Sequence, residues 1–244
     1  MESEDLIHWT RAVPTFFAHR QDDQIYGHRG FAYQGMYVGM RWVFQLGISK
    51  RHASYVELDC SRDGRIWTRV GTGQPFMDYN PRRDTWDATI MRPIAMFEVG
   101  DEVWVYYFGA ATELETANPD YPKSAPREWA LGLATLPRDR FVSINGASAA
   151  GTLTTRPLHF SGAKLWINAD AGEDGTITVA VLNRDGKPLD GMDHGDCRPI
   201  KGDSLDVSVH WKSGSDLQKL GDDGVRLQFR LRDAKLFSFW IGSN

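Results

Sequence analysis

The feature that most constrains this chain is a turn written twice. Residues 61–71 read SRDGRIWTRVG and residues 3–11 read SEDLIHWTR, each placing Ser, one residue and Asp a few positions before Trp-Thr-Arg. Trp9 and Trp67 are about 58 residues apart, which is the spacing of a repeated supersecondary unit rather than of a single hairpin. A third stretch, GLATLPRDRFVSI (132–144), resembles VELDCSRDGRIWTRV (56–70), with Arg138-Asp139 for Arg62-Asp63 and Phe141 near the place of Trp67.

The segments around these turns alternate like strands. IYGHRGFAY turns at Gln34-Gly35 into MYVGMRWVFQL; ASYVELDCS turns at residues 62–65 into IWTRV. The plan recurs from residue 88 to 144 as TIMRPIAMFEV, a turn at Gly100-Asp101, EVWVYYFGA, an insertion, EWALGLATL and RFVSI. Two four-stranded antiparallel meanders of this length, each closed by an aromatic-tagged last strand, predict blades of a β-propeller. SEDLIHWTR then reads as the outer strand of a further, incomplete blade.

Beyond residue 146 the pattern changes to AKLWINADA, TITVAVLN, SLDVSVHW, VRLQFRLRD and KLFSFWI between Asp-Gly turn signals, which predicts a β-sandwich. The fold expected is all-β: a partial five-bladed-type propeller of about two and a quarter blades over 1–145, and a C-terminal sandwich over 146–244. The small-residue stretch SINGASAAGTLTTRP is expected to mark the boundary. The sandwich is expected to be structural, packing on the last blade through an apolar face that includes Leu165, Ile167, Phe237 and Phe239, and open blade edges around Trp42, Trp104 and Tyr106 predict self-association.

Composition narrows the partners. With 28 basic against 32 acidic side chains, the net charge of −4 gives no electrostatic footprint for nucleic acid or an anionic membrane. No apolar run approaches a membrane span, and the first residues lack the basic and apolar regions of a signal peptide. A soluble chain of open compartment is expected, since a longer parent could be secreted. Cys60 and Cys197 fit no metal or redox spacing.

The stretches DDQIYGHRGF and TWDATIMRP, with the run from Leu133 to Ala171, resemble glycoside hydrolase family 32 and related five-bladed propeller glycosidases. The resemblance implies a carbohydrate ligand, no cofactor, and hydrolysis of terminal glycosides, possible fructosides among them. It also implies three carboxylates on the inner strands of the first three blades: a nucleophile, a transition-state-stabilising Asp and an acid/base Glu. Their motifs are not found. Arg83-Asp84-Thr85 and Arg138-Asp139-Arg140 share letters with an Arg-Asp-Pro motif but fall on turns, so the resemblance is to the C-terminal portion of such an enzyme.

Within that frame the first strand of each blade lines the ligand mouth. Asp23, Asp87 and Glu113 are the candidate catalytic carboxylates; Tyr26, His28, Arg29, Trp86 and Arg92 are the candidate sugar contacts, because sugars need paired hydroxyl acceptors and an apolar ring face. The competing reading makes Asp23 and Asp87 loop caps or salt-bridge partners of Arg29 and Arg92. Asp63 and Asp139 read as turn-formers, and Trp9, Trp67 and Phe141 as packing residues. Asp193, His194 and Asp196 lie in a polar loop that is not expected to hold a metal. Two functions stay open: a glycosidase, or a non-catalytic carbohydrate-binding or assembly module.

Overall fold

A computed structural model describes residues 1–21, 23–45, 53–71, 73–78, 85–111, 129–214, 216–221 and 224–243. The chain is all-β, and among the described residues it holds four antiparallel sheets and one short 3-10 turn at Gln218–Leu220. It divides into two compact units, one of residues 1–99 and 103–135 and the other of residues 100–102 and 136–244.

The first unit holds two meanders. Strands β1 (Asp23–Tyr33), β2 (Met36–Gln45), β3 (Ser54–Ser61) and β4 (Thr68–Val70) pair in sequence order. The β1–β2 hairpin closes through Gln34 and Gly35, both at positive φ, the two-residue turn whose twist matches that of its strands. Strands β5 (Ile90–Val99), β6 (Glu102–Ala110) and β7 (Ala130–Pro137) form a three-stranded sheet. The Ser54 amide donates to the Thr89 carbonyl at 2.8 Å, and the Thr89 amide to the Ala110 carbonyl at 3.2 Å, stitching the meanders together.

The second unit is a sandwich. One sheet runs β12 (Asp203–Ser208), β10 (Lys164–Asp170), β14 (Ala234–Gly242), β8 (Ile144–Gly146); the other runs β11 (Thr176–Leu182), β13 (Arg226–Arg232), β9 (Gly151–Thr154). Alternate residues of β10, β11 and β13, among them Leu165, Ile167, Ile177, Val179, Leu227, Phe229 and Leu231, build one apolar core. Burial at this density is the main stabilising contribution to such a unit.

Four expectations need correction. SEDLIHWTR is a turn and no strand: Asp5 Oδ1 accepts from Ser3 Oγ and from the amides of Ile7 and His8, and Trp9, 52% exposed, packs no blade. The stretch RFVSI adds no fourth strand to the second meander; Ile144–Gly146 pairs with β14 in the sandwich. The small-residue stretch read as a boundary supplies both β8 and β9; β8 lies close against its neighbour, where a Cβ on Gly146 would sit 2.6 Å from Leu231. Leu165, Ile167 and Phe239 face the sandwich's own core, but Phe237 does not join them: the register steps from Asn168↔Ser238 to Ala169↔Leu236, and the bulge at Phe237 turns it away, with the Arg140 guanidinium 4.5 Å over its ring.

The repeated turn is nonetheless a structural repeat. Asp63 Oδ1 accepts from Ser61 Oγ and from the amides of Arg65 and Ile66, and Trp67 Nε1 donates to the Gly64 carbonyl as Trp9 Nε1 does to Leu6. One bond pattern thus folds Ser-x-Asp-x-x-x-Trp in both places, through side-chain capping of local amides.

Trp42, Trp104 and Tyr106 are half-buried. The exposed apolar face lies on the second meander, on the side of Trp104 and Tyr106: Gly132 faces Tyr107, which puts Leu131 and Leu133 on the opposite side with Phe108, and Phe97 meets Tyr106 edge-on at 6.1 Å. Replacing Leu131 and Leu133 by Lys should weaken concentration-dependent self-association in light scattering. A parent chain that stays monomeric at 27.6 kDa across the dilution series contradicts the expectation.

Candidate functional site

Strands β2 and β3 are buried on both faces, and one of those faces is charged. Val38, Met40 and Phe44 of β2 and Val56 and Leu58 of β3 form the apolar side. On the other, the pairing His28↔Arg41↔Glu57 crosses three strands, and Asp59 lies opposite Arg69. Arg41, Glu57 and Asp59 are each at most 2% exposed.

Arg41 is the hub of this face. Its Nε donates to Asp59 Oδ2 at 3.1 Å, its Nη2 to Asp59 Oδ1, and its Nη1 lies 4.0 Å from Glu57 Oε2. Arg69 Nε sits 3.1 Å from Glu57 Oε2. The Phe16 ring covers Arg41 at 4.9 Å and meets His28 at 4.4 Å, while Arg69 Nη2 donates to the Phe17 carbonyl. Residues 16 and 17 therefore cover the charged face.

Two glycines make room for the second cover. A Cβ on Gly30 or Gly39 would come within 2.6 Å of the Trp67 ring, so the indole can lie flat on the sheet only because both positions lack one. His28 is wedged between Trp67, 4.4 Å away and edge-on, and Asp59 Oδ2 at 3.5 Å. Burial, with Arg41 adding to it, pushes the His28 pKa down to about 4, so the ring is neutral at pH 7. Burial likewise pushes the Asp59 carboxyl up from its ordinary value, while the Arg41 bonds work against the shift.

Asp23 joins this network through a tyrosine. The Tyr55 hydroxyl lies 3.3 Å from both Asp23 Oδ2 and Glu57 Oε1, and burial followed by the two carboxylates pushes its pKa well above the phenol range. Tyr55 therefore stays a hydrogen-bond donor. Asp23 is 6% exposed.

Asp87 has a parallel arrangement in the second meander. It lies just before β5, half-buried, and its Oδ2 accepts from the Tyr107 hydroxyl at 3.2 Å. Burial and then Asp87 push Tyr107 up to about 12. Trp86 stacks on Tyr107 at 5.7 Å and 16°, and a Cβ on Gly132 would meet it at 2.7 Å. Each meander thus pairs an aspartate at the start of its first strand with a tyrosine hydroxyl, and lays a tryptophan over glycines.

The remaining sequence candidates separate. Tyr26 and Trp129 flank the Arg92 guanidinium at 5.0 and 4.9 Å, a cation held between two aromatic rings. Arg29 is exposed and makes no ion pair among the described residues, so it braces neither Asp23 nor Asp87. Glu113 lies outside the described residues. His194 is bonded to Thr178 and Gln228, and among the described residues no three acidic, His or Cys side chains gather to hold a metal. Reading the first strands alone misses Arg41, Tyr55, Glu57, Asp59 and Arg69. Their signal is the alternation of charge inside apolar strands, Arg41 in MYVGMRWVFQ and Glu57 and Asp59 in SYVELDCS.

No protein-family model matches this sequence, and no curated protein matches it significantly. Among solved structures, the chain is similar to an N-acetylgalactosamine deacetylase from F. plautii, with 19% identity, a TM-score of 0.32, and 49% of this chain and 34% of that one covered. A glycoside hydrolase family 43 arabinoxylan arabinofuranohydrolase from Bacillus subtilis aligns at 11% identity and TM-score 0.24, over 88% and 53% of the two chains. The Bombyx mori family 32 β-fructofuranosidase aligns at 10% and 0.28, over 89% and 66%. The chain thus spans between a third and two thirds of the lengths of these proteins.

Breaking the hub should show its structural weight. Asp59→Ala leaves Arg41 buried without its partner and should cost about 3–5 kcal/mol in urea denaturation, whereas Arg41→Met with Asp59→Leu should cost clearly less. A single-variant loss of under about 1 kcal/mol would give the pair no more weight than a surface ion pair.

Proposed function

We propose that this chain is a glycosidase-like carbohydrate-binding protein that takes a terminal sugar residue beside Asp87 and Trp86. The observation that carries the reading is the half-buried Asp87 carboxylate, oriented by Tyr107 and flanked by an indole. A carboxylate accepts from vicinal sugar hydroxyls, and an aromatic face or edge takes the apolar C–H side of the ring. Arg92, held between Tyr26 and Trp129 five residues after Asp87, offers a cation for the same ligand. Within this proposal the meanders are propeller blades, and the fructoside class is the first to test.

Hydrolysis is the second reading, and one observation favours it. Tyr55 holds Asp23 and Glu57 within two hydrogen-bond lengths of each other, near the span of ~5 to ~9.5 Å over which paired glycosidase carboxylates act. Both are closed from solvent, at 6% and 1% exposure, so substrate would reach them only with the cover of residues 16 and 17 displaced. That access cost places binding ahead of turnover.

Calorimetric titration with fructose, sucrose and inulin oligosaccharides should give weak binding that Asp87→Asn and Trp86→Ala each reduce about tenfold, the loss of one charge-assisted bond or one stacking contact. Turnover of sucrose, inulin or aryl glycosides by the same chain should be absent. Turnover abolished by Asp23→Asn would make the protein an enzyme; binding indifferent to Asp87 and Trp86 would overturn the proposed site.

A further inference from the structure

Strand β13 reads RLQFRLR, and its alternation separates two chemistries. Leu227, Phe229 and Leu231 enter the sandwich core, so Gln228, Arg230 and Arg232 point to the other side of the sheet. Across from them stand Thr178, opposite Arg230, and Thr176, opposite Arg232. Thr176, Thr178, Arg230 and Arg232, with His194 and Gly195 from the loop after β11, line a cavity of about 320 Å³.

The wall of this cavity is fixed. Asp193 Oδ1 accepts from the amides of Gly195 and Asp196, which folds the loop and presents His194 to the sheet. There His194 Nε2 lies 3.1 Å from the Gln228 amide oxygen, and Nδ1 lies 3.0 Å from Thr178 Oγ1. An amide oxygen only accepts, so Nε2 carries the proton and Nδ1 accepts from the threonine hydroxyl. Gln228 is itself set by the bond from its Nε2 to Thr154 Oγ1 at 3.0 Å.

The two guanidiniums are exposed to solvent and are the unpaired part of the face. Arg226 on the same strand donates to the carbonyls of Thr155 and Arg184, but Arg230 and Arg232 make no ion pair or hydrogen bond among the described residues. They project from alternate positions of one strand, roughly 7 Å apart along it, so they repel each other across the cavity they share. An anion between them removes that repulsion and accepts from both forks. The nearby Asp193 carboxylate is occupied with its own turn.

We propose that this face of the β11–β13–β9 sheet binds a small oxyanion-bearing ligand, the size of a sugar acid or sugar phosphate, through Arg230 and Arg232 against the fixed wall of His194. The planar fork of arginine matches a carboxylate or a phosphate edge, and the Thr176 hydroxyl is placed to take a neutral group of the same ligand. A volume near the lower end of ligand sites admits a monosaccharide-sized molecule. The site is independent of Asp87 and needs no sugar to bind there.

Calorimetric or chemical-shift titration of the full chain with glucuronate, glucose 6-phosphate and glucose tests it. One or both of the acids should bind while glucose does not, and raising the salt should weaken the binding. Arg230→Ala and Arg232→Ala should each lower affinity by about tenfold or more, as expected for a lost charge-assisted bond. Asp87→Asn should leave it unchanged, which separates this site from the sugar site proposed above. Binding of neither acid, affinity for glucose equal to that of the acids, or acid binding unmoved by both arginine variants would each overturn the proposal.

Discussion

The first unit depends on an ion pair buried between strands. Arg41 and Asp59 are withdrawn from water almost completely, and removing two such charges costs several kcal/mol per ion unless every hydrogen-bonding group around them is matched. The neighbours supply much of that matching, though Glu57 Oε2, Arg69 Nε and His28 Nε2 keep ion-pair distances without a well-aligned hydrogen bond. Glu57 and Arg69 extend the pair sideways, the Phe16 ring closes over the guanidinium, and Trp67 lies on two glycines to seal the edge. The register of β1, β2 and β3 is therefore specified twice, by the apolar face and by this charged one; a one-residue slip would break both.

This burial also decides what each carboxylate can do. Asp23, Glu57 and Asp59 are held among arginines and a tyrosine with almost no contact with solvent, which suits a brace between strands. Asp87 has the same kind of tyrosine partner but stays half-exposed beside an indole, which suits a ligand. Equivalent positions in two meanders thus carry different chemistry, set by what lies over them.

Much of the fold was legible because alternation and turn chemistry act locally. The Gln34-Gly35 hairpin and the strands of the sandwich follow from period-two patterns bounded by turn residues. SEDLIHWTR misleads for the same reason: its Ser-x-Asp turn forms from a few side-chain bonds whether or not a strand follows, so the motif specifies the turn alone. Strand β8 escapes notice because its place depends on the close approach of Gly146 to Leu231, and β9 because the four residues GTLT pair with β13 without an apolar run. At the site, Asp23, His28 and Asp87 were readable as charges at the start of strands. Glu57 and Asp59 were not, since an acidic residue inside an apolar strand shows its meaning only once Arg41 is seen opposite.

The central claim is that the charged face of the first sheet is closed, a brace and not a ligand mouth. His28 reports on it directly, because its ring lies between Trp67, Phe16 and Asp59 inside that face. The most direct measurement is the titration of the His28 ring protons by NMR in the native protein. A midpoint near 4 is expected, since burial favours the neutral ring. A midpoint at the ordinary value of about 6.5 would mean a hydrated imidazole and an open face, and would contradict the account.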